Sequence, residues 1–76
     1  MSTLERIAAA TTIEVMHMIN DREHEENQLE NEEMVAACKK VINDEDFMDT
    51  LRIEQPMDYI SLGLTVGYMR SCGENI

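Results

Sequence analysis

Seventy-six residues with a formal net charge of −10, from 16 acids against 6 bases, give one small domain over residues 1–76 that is poorly suited to a nucleic-acid backbone or an anionic membrane surface. Forty-three per cent of the residues are hydrophobic, but only Phe47, Tyr59 and Tyr68 are aromatic, and there are seven Met. A chain of this length buries only about 60% of its unfolded surface, so a Met-rich core of this size favours self-association.

Ser2-Thr3-Leu4-Glu5 is a capping box that opens a helix. Leu4, Ile7, Ala8, Thr11, Val15, Met18 and Ile19 then recur at helical spacing as a core face. A second stripe, Ala9, Ile13 and Met16, is turned about half a circle from the first. It is a candidate oligomer interface, unless the last helix of the same chain covers it. From Asn20 the apolar pattern stops, and the helix either runs on to about Asn27 or breaks near Asn20–Asp21.

A second helix is predicted over Asn31–Ile42, with Met34, Val35, Cys38, Val41 and Ile42 inward and Asn31 as N-cap. Lys39 and Lys40 suit its C-terminal dipole. Asn43 and Asp44 read as a turn and a new cap, followed by a short helix over Glu45–Arg52 with Phe47, Met48 and Leu51 inward. Pro56 opens a last helix that runs to about Cys72, and Gly73 stops it.

Within that last segment Ile60, Leu62, Leu64, Val66 and Tyr68 alternate with small or polar residues, as in a strand. The start and stop signals favour a helix, which groups Met57, Ile60, Leu64, Gly67 and Tyr68 and sets Gly63 and Gly67 in a groove that lets another helix approach closely. The expected fold is therefore all-α, a compact bundle of three to four short helices. The alternative is α+β with a C-terminal hairpin.

Cys38 and Cys72 form neither a disulfide framework nor a zinc ligand set. Met1 to Ala10 lacks a basic start followed by an apolar run, and no stretch reaches about 18 apolar residues. A cytoplasmic location is expected.

Glu14, His17, Asp21 and His24 share one face of a continued helix, and Glu14-x-x-His17 has the form of a two-iron bundle unit, present once. Asn43 to Asp46 lacks the alternating ligands and central Gly of a calcium loop. No glycine-rich phosphate loop is present, and neither cysteine has a histidine beside it in sequence.

Glu30-x-x-Glu33 followed by Asp46-x-x-Asp49 resembles the paired carboxylate motifs with which all-α nucleoside-triphosphate pyrophosphohydrolases hold magnesium. The second motif has Asp where that family has Glu. The resemblance covers about twenty residues, and it implies a metal-dependent nucleotide hydrolase that uses Glu30, Glu33, Asp46 and Asp49.

The charge is localised. Residues 21–33 carry net −6 and residues 43–58 carry net −5, so the rest of the chain is close to neutral. The favoured expectation is a non-enzymatic acidic protein, without cofactor, that engages a basic surface on a protein partner. Its sharpest form is a small phage-type inhibitor that occupies a nucleic-acid-binding surface, where complementary potential sets the on-rate. The candidate residues are Asp21, Glu23, Glu25, Glu26, Glu30, Glu32 and Glu33, with Asp44, Glu45, Asp46 and Asp49. A purely structural homo-oligomer is the third reading.

Overall fold

The structure is a computed structural model that describes residues 2–21 and 29–76. Among these residues there are five helices and no strand: α1 (Thr3–Ala9), α2 (Thr12–Asn20), α3 (Asn31–Ile42), α4 (Glu45–Glu54) and α5 (Pro56–Ser71). The bundle is all-α as expected, with one helix more than the upper end of that expectation. The C-terminal hairpin does not form.

The extra helix comes from a break in the first one. Ala10 and Thr11 are extended, with ψ of 158° and 160°. Thr11-Thr12-Ile13-Glu14 is a second S/T-x-x-E sequence, and it starts a helix of its own. Thr11 Oγ1 accepts from the Glu14 N–H at 3.2 Å and donates to Glu14 Oε1 at 3.0 Å. Ser2 and Glu5 make the same pair of bonds at the start of α1.

A lysine from elsewhere in the chain seals the break. The Lys40 ammonium donates to the carbonyls of Ile7 and Ala8 at 2.8 Å each, and to that of Ala10. These are carbonyls that the end of α1 leaves without an intrahelical partner. Sequence position suggested that Lys40 served the dipole of its own helix. Instead it reaches thirty residues back and ties α3 to α1.

The bounds of α3 agree with the sequence reading, but its cap does not. Glu30 is the N-cap and Asn31 is the first helical residue. The Glu30 N–H donates to Glu33 Oε1 at 2.9 Å. Asp44 caps α4 as expected. Gly73 has a φ of 93°, and the Gly73 and Glu74 N–H groups return to the Arg70 and Met69 carbonyls, a Schellman termination of α5.

The core sits around α3, which packs against each of the other four helices. Its Ala37, Cys38 and Val41 are fully enclosed, with Ile7 from α1, Val15, Met16 and Ile19 from α2, Leu51 from α4, and Leu62 and Val66 from α5. No helix is long and apolar enough to cross a membrane, among the described residues.

The alternating run in α5 resolves through helical period. Residues two apart lie on nearly opposite faces of a helix. Leu62 and Val66 point into the core, with Tyr59 and Met69 half-buried beside them, while Ile60, Leu64 and Tyr68 point out. The group Met57, Ile60, Leu64, Gly67 and Tyr68 does share a face, and that face is exposed.

Candidate functional site

The break between α1 and α2 decides the fate of the second apolar stripe. Ala9 ends α1, while Ile13 and Met16 belong to α2, so the three do not line one helix. Met16 is buried, with 6% of its surface exposed, whereas Ile13 remains 60% exposed. The stripe as read on a continuous helix is therefore corrected: its third member belongs to the monomer's core.

Ile13 and Met16 instead meet part of the acidic segment. A cleft of about 770 Å³ runs between α2, α4 and the start of α5. Its apolar lining comes from Ile13, Met16, Phe47 and Leu51, and its acidic lining from Asp44, Asp46, Glu54 and Asp58. Thr11, Thr12, His17, Asn20, Thr50 and Gln55 also line it, and no Lys or Arg is among the described lining residues. Four of the six acids in residues 43–58 thus line one depression together with these apolar side chains.

Asp44 has a structural duty in this wall. Thr12 Oγ1 donates to Asp44 Oδ2 at 2.7 Å, and the Phe47 N–H donates to Asp44 Oδ1 at 3.1 Å. The Thr12 hydroxyl first, and the Phe47 N–H second, hold the carboxyl below its ordinary value, against a weaker opposing effect of burial. A lowered folded-state pKa means that ionised Asp44 stabilises the fold above its unfolded pKa. That contribution is lost as pH falls through the lowered value. Asp44→Asn is therefore expected to lower the Tm at neutral pH, and to flatten the fall in Tm that acid produces in the wild type. Thermal melts from neutral to strongly acidic pH check both.

The other candidate acids are distributed differently. Glu45, Asp46 and Asp49 are exposed on α4, and Asp49 pairs with Arg52 at 3.6 Å, a solvent-exposed i,i+3 contact of small energetic weight. Glu30 and Glu32 are exposed at the start of α3, and Glu33 is half-buried in its capping role. Asp21 lies exposed at the end of α2, where its N–H donates to the His17 carbonyl at 2.9 Å. Glu23, Glu25 and Glu26 lie outside the described residues, as does His24.

Among the described residues no three of His, Cys, Asp and Glu converge closely enough to share an ion. Glu14 is engaged by Thr11, and α2 ends before Asp21. Glu33 of the E-x-x-E motif is turned onto the Glu30 backbone. Cys38 is buried in the core, and Cys72 is exposed near the end of α5.

The cleft itself is a feature that sequence reasoning missed. Its signal was present in two pieces, the Ile13–Met16 pair and the acids after Asn43. What joins them is a contact between Thr12 and Asp44, 32 residues apart. Compared with protein-family models, with curated proteins and with solved structures, the chain matches none.

Proposed function

We propose that this protein is a non-enzymatic binding protein that takes a basic, partly apolar segment of a protein partner into the α2–α4 cleft. The observation that supports this reading is the cleft lining, with Asp44, Asp46, Glu54 and Asp58 around Ile13, Met16, Phe47 and Leu51. Such a surface complements a Lys- or Arg-bearing helix or strand that also presents one or two apolar side chains. The apolar lining supplies affinity through burial. The acids supply orientation and a fast, salt-sensitive encounter. A nucleic-acid-binding protein carries such basic segments, and a small acidic protein seated there blocks the site. Inhibition of a nucleic-acid-handling enzyme in the cytoplasm of a phage-infected cell is the sharpest form of the proposal.

The test is affinity capture from a bacterial lysate at low and high salt, with three baits. The wild type is expected to retain a basic protein at low salt and release it at high salt. Asp46→Lys with Glu54→Lys is expected to lose it, while Glu32→Lys, which reverses an acid away from the cleft, is expected to keep it. Equal retention by all three baits contradicts the cleft as the recognition surface.

A further inference from the structure

Among the described residues, the outer face of α5 has no partner within the chain. Met57, Ile60, Leu64 and Tyr68 are 73%, 53%, 71% and 71% exposed. At 3.6 residues per turn they form one continuous stripe along the helix. Gly63 and Gly67 border it, and a Cβ built on either would meet nothing within 4 Å. Neither glycine is explained by a contact in the monomer, and glycine in a helix interior costs stability relative to alanine. Two such positions, one turn apart on the exposed side, suit the close approach of another helix.

We infer that this face is the interface between two copies of the chain, packed α5 against α5 about a two-fold axis. Area and charge both identify the occupant. Taking about 200 Å² for a fully exposed large side chain, the four apolar residues contribute roughly 540 Å² at their observed exposures. Two such faces bury up to about 1,100 Å², which clears the roughly 1,000 Å² expected of a specific interface. The only charged residues of α5 are Asp58 and Arg70, and each lies about a third of a turn away from Leu64 around the helix. The stripe therefore offers nothing to recruit a charged partner. It is the face on which two chains of net −10 can meet without placing like charges against each other. It is also self-complementary. An antiparallel pairing about Leu64 sets Ile60 level with Tyr68 of the second copy, and Met57 level with its Ser71, in a closed isologous contact.

This interface is independent of the acidic cleft, and the two respond to salt in opposite directions. Partner capture by the cleft weakens as salt rises, whereas dimerisation of two acidic chains strengthens as their residual repulsion is screened. Sedimentation velocity from micromolar to millimolar protein is the experiment. The wild type is expected to sediment at twice the 8.7 kDa chain mass, more completely at high salt. Leu64→Glu and Tyr68→Glu each change an exposed residue, so both retain helical circular dichroism and are expected to weaken the dimer by roughly 30-fold or more. Ile13→Glu, on the cleft, is expected to leave it intact. A wild type that stays monomeric throughout overturns the inference. So does a dimer that survives both α5 substitutions, or one that only Ile13→Glu dissociates.

Discussion

Leu62→Ala is expected to destabilise the monomer by about 2–5 kcal/mol, whereas Leu64→Ala, two residues away, is expected to change it by no more than about 0.5 kcal/mol. Leu62 is 2% exposed and is among the largest fully buried side chains of the core. Its removal forfeits the transfer energy of the side chain and leaves a cavity that the rest of the core fills only in part. Leu64 is 71% exposed, so truncation removes little that folding had buried. For 76 residues the total stability is on the order of 4–11 kcal/mol, so Leu62→Ala consumes a large fraction of it and populates the unfolded state. Urea denaturation of dilute protein, where monomer dominates, measures both. Equal losses would mean that α5 is rotated from the orientation described, and would return the segment to the strand-like alternation of its sequence.

Lys40→Met is expected to cost about 1.5–3 kcal/mol, with the loss concentrated in α1. The substitution keeps most of the aliphatic stem and removes the ammonium that serves the Ile7, Ala8 and Ala10 carbonyls. The Ile7 and Ala10 interactions are partly buried, so water replaces them incompletely. Helix α1 spans seven residues, too few to persist without tertiary support. Amide hydrogen exchange is expected to accelerate in residues 3–9 well before it does in α3. Lys39→Met, an exposed neighbour on the same turn, is expected to leave α1 protected. Similar effects of the two substitutions would reduce Lys40 to a surface charge near the end of α3.

The helix ends that sequence reading placed well are those set by local chemistry. Ser2 with Glu5, Asp44 and Gly73 act on backbone groups within a few residues of themselves, and Pro56 starts its helix by its fixed φ and missing N–H. The Thr11-x-x-Glu14 box was equally local, but it lay inside an apolar periodicity that read through it, and the strength of that pattern hid the break. Other features were not local. The sequence of α5 offers two apolar faces, Tyr59–Leu62–Val66–Met69 and Met57–Ile60–Leu64–Tyr68. Which one is buried depends on how α5 packs against α4 and α3. Lys40 looked like a dipole partner for its own helix, because its true acceptors lie about thirty residues away. The acids of residues 43–58 were legible as a charged segment. Their gathering around Ile13 and Met16 was not, since it depends on α2 and α4 docking through Thr12 and Asp44.

The acidic cleft is the centre of the functional account, and a titration followed by two-dimensional amide NMR tests it most directly. The probe is a soluble amphipathic helical peptide of alternating Lys and Leu faces, added to isotope-labelled protein at low salt. Saturable shifts are expected at Ile13, Met16, Asp46, Phe47, Leu51 and Glu54, lost when Asp46 and Glu54 are both changed to Lys. Shifts confined to the outer face of α5, or spread without saturation over every exposed acid, would contradict it.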